Sequence, residues 1–217
     1  MVRSVLLLFS DPDGFFRRDP KEWEGLAIPA ALVLAAGILA AITGYLVSGV
    51  IAGLFPEDLQ GVSGIAPFMG VMSAGGALLG SIFMWLVYTA IFFVISLFFM
   101  GKGGFRRVLA GVGYGFLPTI IGNLISLCLY WYYLPSIQVS PVKDVMDLQQ
   151  ATLAITRQPV FQMTAILGII FLLWSASIWI FSLRYSRELT LRNAAITVGI
   201  PVILFIMVTL ISTGVFA

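Results

Sequence analysis

The charged residues of this chain are confined to the gaps between five long apolar stretches. The 217 residues include 12 Lys or Arg and 10 Asp or Glu, and none of these falls within residues 25–55, 67–100, 108–134, 160–183 or 194–217. A helix needs about 20 apolar residues to cross a hydrocarbon core of roughly 30 Å, and every stretch is long enough. The pattern predicts an all-α polytopic transmembrane bundle with five membrane-spanning helices, preceded by a separate segment at residues 1–24.

The composition excludes a water-soluble core and most metal chemistry. Hydrophobic residues make up 60% of the chain and charged residues 10%, against about a quarter charged in soluble domains. His is absent and Cys128 is the one cysteine, so the usual zinc ligands are missing and no intrachain disulfide can form. We therefore expect no metal and no cofactor. A net charge of +2, scattered over the chain, does not indicate a nucleic-acid partner.

The basic residues alternate from one side of the predicted membrane to the other. Residues 1–24 hold four, residues 101–107 three and residues 184–192 three, whereas the other side has only Lys143 and Arg157. The positive-inside rule then places the N-terminus in the cytoplasm and the C-terminus outside, in a cell membrane. Because the basic residues cluster at helix ends, anionic lipid head groups on the cytoplasmic face are the expected partners.

Two connecting regions carry expectations of their own. The uncharged run Leu59–Gly101 is longer than one perpendicular helix requires, which predicts either an irregular or re-entrant segment or a tilted helix. Four glycines crowd its first half: Gly70, Gly75, Gly76 and Gly80. In the 135–159 loop, Ser140 followed by Pro141 resembles a helix N-cap and first helical position, so a short surface helix is predicted there.

The segment before the first span is rich in large apolar residues. Eight occur in the first 23 positions: Val5, Leu6, Leu7, Leu8, Phe9, Phe15, Phe16 and Trp23. Interspersed with charges, they predict an interfacial helix that buries its apolar side chains in the membrane boundary. The alternative is a disordered tail.

Small residues at four-residue spacing predict close helix packing. Gly44 lies in a stripe of small residues in the first span, and GxxxG spacing occurs at Gly76–Gly80 and Gly111–Gly115. Such spacing lets helix backbones approach in lipid. The favoured interpretation is packing within the bundle, and the alternative is a seam between two copies.

Two prolines lie inside predicted spans. Pro118 and Pro201 have no N–H to donate, so the helices are expected to kink or unwind, and neighbouring side chains such as Asn123 could satisfy the freed carbonyls. This arrangement fits a binding or gating locus, as in transporters with broken helices. The favoured interpretation is a purely structural kink whose carbonyls are satisfied by neighbouring hydroxyl groups.

No catalytic pattern is present. Serine-protease chemistry needs a base that a chain without His lacks, and no Asp or Glu lies within a span. We therefore expect that the protein is not an enzyme. Ion and proton pathways usually place ionisable residues at membrane depth, and the predicted spans contain none.

Two stretches carry a family resemblance. Ser10-Asp11-Pro12-Asp13-Gly14-Phe15-Phe16, and Gly103-Gly104-Phe105-Arg106-Arg107-Val108-Leu109 continuing to Tyr114-Gly115-Phe116-Leu117-Pro118, resemble the prokaryotic branch of the Yip1 domain family. For eukaryotic members, this resemblance implies proteins of the Golgi and endoplasmic reticulum that bind prenylated Rab-type GTPases and one another. Rab binding is not carried over, because the N-terminal region is about 24 residues here and the acidic sequence before the first span is only echoed by Glu24–Pro29.

The resemblance and the hydropathy together give one functional hypothesis and one alternative. The first is a non-enzymatic membrane scaffold or membrane-organising protein that acts through lipids, protein partners or self-association. The second is a transporter or channel for a neutral or lipid-like solute. The candidate interaction or hinge residues are Arg106, Arg107, Tyr114, Gly115, Phe116, Pro118 and Asn123, and the candidate packing residues are Gly44, Gly76, Gly80 and Gly111.

Overall fold

The computed structural model describes residues 7–55, 64–142 and 147–213, and within these ranges all regular structure is helical. Residues 7–10 are helical and precede the first complete helix. The helices are α1 (Pro12–Phe16), α2 (Ala27–Ala52), α3 (Ile65–Leu97), α4 (Phe105–Tyr114), α5 (Phe116–Tyr133), α6 (Leu148–Thr156), α7 (Pro159–Ser186) and α8 (Leu191–Thr213), with 3₁₀ turns at Pro20–Glu22 and Leu134–Ser136.

The five spans predicted from the hydropathy are confirmed. Helices α2, α3, α7 and α8, together with the pair α4–α5, are the five that are long and apolar enough to cross a membrane. Their exposed surface carries large apolar side chains such as Leu79, Phe83 and Ile203, as expected for helices that face lipid on one side and protein on the other.

The third span, α4–α5, is the central element of the bundle. More than half of its most apolar window (56%) is buried inside the protein, against 17% to 33% for the other four. Helices α2 and α7 both pack along it, α3 packs against α2, and α8 lies against α7 and α3. The main hydrophobic core therefore surrounds α4, where Val108 and Val112 are fully buried.

Helix ends follow the local sequence. The Asp11 side chain accepts a hydrogen bond from the Gly14 N–H at 2.8 Å and Pro12 takes the first position of α1, a standard N-terminal combination. Helix α7 likewise starts with Pro159. It ends before Glu188, whose φ of 54° reverses the chain.

The structure bears on two expectations about the connections. Helix α3 is continuous through Gly70 to Gly80, so the expected irregular or re-entrant segment is wrong for residues 64–97; residues 59–63 lie outside the described ranges. At 33 residues α3 is about 50 Å long, so it must tilt or project beyond the hydrocarbon core. The short helix predicted in the 135–159 loop is confirmed, but it begins at Leu148. Its expected start is wrong, because Ser140 and Pro141 are not helical; residues 143–146 lie outside the described ranges.

Helix α8 is also unbroken. It runs from Leu191 to Thr213 with Pro201 inside it, so local unwinding does not occur there. The Thr197 hydroxyl bonds to the carbonyl of Asn193, one turn earlier, at 2.8 Å.

Candidate interaction site

Three segments meet at one end of the bundle, which we call the basic end: residues 7–26, 98–104 and 187–190. Helix α1 packs against α7, and the Lys102 N–H donates to the Arg187 carbonyl at 2.9 Å. Together with the adjoining helix ends, which carry Arg106, Arg107, Arg184 and Arg192, these segments hold nine of the 12 basic residues in the sequence. The 134–142 segment lies at the opposite end, where the Val142 N–H donates to the Leu54 carbonyl at 2.9 Å.

The apolar side chains of the N-terminal segment face protein rather than lipid. Leu8, Phe15, Phe16 and Trp23 are at most 5% exposed and form a second core with Tyr114 and Ile178. The expectation that these groups sink into the membrane boundary is therefore wrong for these four side chains, while Val5 and Leu6 lie outside the described residues. A hydropathy pattern cannot distinguish the two cases, since lipid tails and a groove between helices are equally apolar.

Tyr114 is the centre of this docking contact. Its ring meets that of Phe15 edge-on at 5.1 Å and that of Phe16 at 6.1 Å, and Phe16 meets Trp23 at 5.3 Å. Edge-to-face pairs at these separations contribute about 0.5–1.5 kcal/mol each beyond area burial. The motif residue Tyr114 thus attaches the N-terminal segment to α4.

Asp13 provides the polar half of the same attachment. Its carboxylate accepts hydrogen bonds from the Tyr185 hydroxyl at 2.9 Å and from Arg184 at 3.0 Å, and from Arg17. Burial alone would raise the pKa of Asp13, but the hydrogen bonds from Tyr185 and Arg17 and the charges of Arg17 and Arg184 lower it below its usual value. The carboxylate is therefore held in its charged form against α7.

Arg106 and Arg107 point to different surroundings. Arg107 is half-buried and its Nε donates to the Glu24 carboxylate at 2.5 Å, which joins the start of α4 to the chain before α2. Arg106 is exposed. Both line a depression of about 550 Å³ together with Lys21, Glu24, Gly25, Gly103 and Gly104, so this basic depression adjoins the first turn of α4.

Arg187 is a buried cation that the sequence interpretation counted only as a positive charge. It is 2% exposed and donates to the Ser96 hydroxyl at 2.8 Å, to the Gly101 carbonyl at 2.6 Å and to the Gly103 carbonyl. Its guanidinium lies 4.4 Å from the centroid of the Phe93 ring. Burial lowers the pKa of Arg187, yet these acceptors and the ring stabilise its charge and fix the α3–α4 loop.

The predicted interruption of the third span lies at Gly115. Helix α4 ends at Tyr114 and α5 begins at Phe116, and the Gly115 N–H bonds to the Val112 carbonyl, three residues back, at 3.1 Å. Phe116 and Pro118, immediately beyond, are buried. The break therefore falls inside the family motif, between Tyr114 at the end of α4 and Phe116 at the start of α5.

Two tryptophans satisfy backbone carbonyls of α4, and sequence reasoning missed both. The Trp179 indole N–H donates to the Val112 carbonyl at 2.8 Å, and that of Trp85 donates to the Leu109 carbonyl at 2.9 Å. The available signal was their position inside apolar stretches, because a buried indole N–H requires an acceptor. Asn123, proposed for this role at Tyr114, instead donates to the Ala36 carbonyl of α2 at 3.0 Å.

The candidate packing glycines divide into two groups. A Cβ on Gly44 would lie 2.9 Å from the Ser73 hydroxyl oxygen of α3, and one on Gly111 would collide with Ser182 of α7. By contrast, no atom of the described residues lies within 4 Å of a Cβ on Gly76 or Gly80. Packing within the bundle is therefore wrong for that pair among the described residues, because neither Cβ position meets a neighbouring helix there. The seam between two copies stays a prediction.

Among the described residues no three His, Cys, Asp or Glu side chains form a group that could hold a metal ion. The fold and the basic end together define a five-span helical membrane protein with a protein-docked N-terminal segment. A family model for the Yip1 domain matches residues 6–212, so the chain belongs to the Yip1 domain family.

One similar protein is an uncharacterised protein of Methanocaldococcus jannaschii. It is 31% identical over 132 residues, which cover 61% of this chain and 92% of the archaeal protein. No solved structure matches the chain.

Proposed function

We propose that the protein is a non-enzymatic membrane-organising scaffold whose basic end binds anionic lipid head groups and protein partners. The observation that carries this proposal is that some of the cations at this end form ion pairs with carboxylates while others do not. Four described pairs join Arg17, Arg18, Arg107 and Arg184 to carboxylates. No ion pair within the described ranges involves Lys21, Lys102, Arg106 or Arg192, and all four are exposed. Those cations remain free for a partner.

The rigid surroundings of these cations support the same proposal. The aromatic contacts of Tyr114 and the Asp13 network fix the N-terminal segment, and Arg187 fixes the loop before α4. A preorganised surface loses less conformational entropy on binding than a flexible one. Arg106 and Lys21 on the rim of the basic depression are then placed to contact a lipid phosphate, and each such cation adds about 1 kcal/mol of attraction to an anionic surface.

Replacement of Arg106 tests the lipid contact. In the full chain reconstituted in phosphatidylcholine, the relative association constant of spin-labelled phosphatidylglycerol should fall about fivefold in Arg106→Gln, the equivalent of roughly 1 kcal/mol. The matched control is Arg157→Gln, an exposed cation at the opposite end. An unchanged constant in Arg106→Gln, or an equal fall in the control, would refute the lipid contact.

The proposal places the basic end in the cytoplasm. In a Cys128→Ser background, an impermeant maleimide added to intact cells should label Ser140→Cys and leave Lys102→Cys unlabelled until the membrane is opened; both positions are exposed. Labelling of Lys102→Cys in intact cells would reverse the proposed orientation.

The alternative, a transporter or channel, has less support. Tyr88, Phe92 and Trp179 pack with ring centroids 5.0–6.0 Å apart, and with Val108 and Leu183 they fill the half of the bundle near the basic end. A path for a solute would have to displace these rings. Flux of an uncharged solute through proteoliposomes, absent from empty vesicles, would favour transport over the scaffold.

A further inference from the structure

Two adjoining cavities lie in the bundle away from the basic end. The inner cavity has a volume of about 330 Å³, is lined by α3, α5, α7 and α8, and is partly open to the surface of the bundle. The outer one, about 490 Å³, lies between α2, α5 and α7 and reaches Thr156 and Phe161. Asn123, Ser126 and Thr164 line both cavities, so they form the boundary between the two.

The lining is apolar with a few neutral polar groups. Rings such as Phe116, Phe171 and Phe205 form the walls of the inner cavity, and within the described part of the chain no Asp, Glu, Lys or Arg lines either cavity. Volumes of roughly 300–1,000 Å³ with apolar walls and a few placed polar groups are typical of small-molecule sites. A charged ligand is disfavoured, because a charge brought into this region would find no counter-charge.

Two hydroxyl groups on the lining have no hydrogen-bond partner in the described part of the chain. Tyr88 is 9% exposed, and its ring is held by Phe92 and Trp179 while its side chain lines the inner cavity. Ser126 lines both cavities. Asn123 donates its amide N–H to the Ala36 carbonyl, which leaves its carbonyl oxygen to accept. An unpaired polar group in an apolar site is unfavourable, so these groups favour a ligand that carries oxygen atoms.

The shape of the inner cavity restricts the ligand further. Its lining on α7 extends from Thr164 to Trp179, which corresponds to about 22 Å along the helix. A volume of about 330 Å³ spread over that length has room for one hydrocarbon chain rather than two. The packed rings of Tyr88, Phe92 and Trp179 close the side toward the basic end.

We propose that the cavities bind an uncharged single-chain amphiphile of the monoacylglycerol type. Its hydroxyl and carbonyl oxygens pair with Tyr88, Asn123 and Ser126, and its chain lies against the aromatic walls. Access is through the outer cavity, at the end of the bundle opposite the basic end. This site is separate from the basic depression, so failure of either proposal leaves the other intact.

Photolabelling of the full chain in detergent micelles tests the location. The probe is a diazirine-bearing monoacylglycerol, and the labelled peptides are mapped by mass spectrometry. Gly168 lines the inner cavity, and nothing lies within 4 Å of the place that a Cβ would take there, so Gly168→Leu should fill the cavity without a backbone clash and reduce labelling at least tenfold. Gly80→Leu is the matched control, since Gly80 is equally unobstructed and lines neither cavity. Equal labelling of the two variants would overturn the proposal.

Tyr88→Phe tests the polar contact. Loss of one hydrogen bond should weaken binding of the monoacylglycerol roughly 3- to 10-fold and leave binding of a hydrocarbon probe of equal length unchanged. An equal loss for both probes would show that the hydroxyl makes no contact. Competition by a fatty-acid anion or a lysophospholipid as strong as that by unlabelled monoacylglycerol would show that the site does not select uncharged ligands.

Discussion

Gly115 is a position where a single added methyl group should disturb the packing of this fold. A Cβ at this position would collide with the indole of Trp179, whose Nε1 bonds to the Val112 carbonyl at 2.8 Å. Gly115 has a right-handed helical φ of −67°, so Ala is not strained by the backbone. Local preference would in fact favour Ala over Gly by about 1 kcal/mol, and the sign of the effect depends on packing.

The packing terms outweigh that preference. Overpacking in a filled core costs about 1–3 kcal/mol. Displacement of the indole also leaves the buried Trp179 N–H unpaired, which costs about 1–3 kcal/mol more. Gly115→Ala should therefore lower the free energy of unfolding by about 3 kcal/mol after the helix preference is subtracted. The measurement is equilibrium unfolding of the full chain by SDS in mixed micelles. Gly199→Ala, where nothing lies within 4 Å, should be neutral or slightly stabilising.

A double-mutant cycle separates this mechanism from a general intolerance of Gly115 to substitution. In a Trp179→Leu background the added methyl group no longer meets an indole, so Gly115→Ala should cost less than about 1 kcal/mol, with a coupling energy of about 1 kcal/mol or more. An equal cost in both backgrounds, or a stabilised Gly115→Ala single variant, would refute the reasoning.

Three further perturbations probe other contacts. Gly44→Leu should destabilise the protein in the same SDS titration by about 1–3 kcal/mol, since it forces α2 from Ser73, whereas Gly76→Leu should cost nothing measurable because that glycine meets no neighbour. Arg187→Lys should cost about 3 kcal/mol, since an ammonium group cannot reproduce the three directed bonds of the guanidinium; an equal cost for the exposed Arg192→Lys would argue against this reason. Because the pKa of Asp13 is lowered in the folded protein, its contribution is present above the unfolded pKa of about 3.9 and is lost as the pH falls below that value. Hydrogen exchange of residues 7–24, corrected for intrinsic rates, should show this loss in the wild type and not in Asp13→Asn.

The spans were predictable because membrane insertion is specified by local composition. Each helix needs only enough uncharged length, and that property is visible without knowledge of any neighbour. The break near Pro118 was also predictable, since it follows from a missing N–H and from flexible glycines nearby. Its location at Gly115 was not, because the size of the indole of Trp179, 64 residues later in the chain, decides how closely α4 and α7 approach.

The wrong expectations share one physical origin: the sequence shows what a residue is but not which group it contacts in the folded protein. Phe15 and Phe16 are apolar whether they face lipid or Tyr114, and the sequence contains nothing that separates the two cases. GxxxG spacing permits a close approach but does not supply a partner, so Gly111 packs against α7 while Gly76 meets nothing. Arg187 follows the positive-inside pattern, yet two of its three acceptors are backbone carbonyls, which carry no signature in the sequence.

The glycines in and next to α4 explain how this helix contacts both the N-terminal segment at the basic end and the wall of the inner cavity. Gly111 and Gly115 are four residues apart and face Ser182 and Trp179 of α7, whereas a Cβ on the intervening Gly113 would lie 2.5 Å from Pro29 Cβ of α2. Gly111 and Gly113 lie inside α4 and weaken it by about 2 kcal/mol relative to alanines, so α4 depends on the helices that pack against its opposite faces. One of its faces carries Tyr114, which holds the N-terminal segment, and another receives Trp179, which forms a wall of the inner cavity. A ligand that moves the indole would therefore act on the same short helix that attaches the basic end.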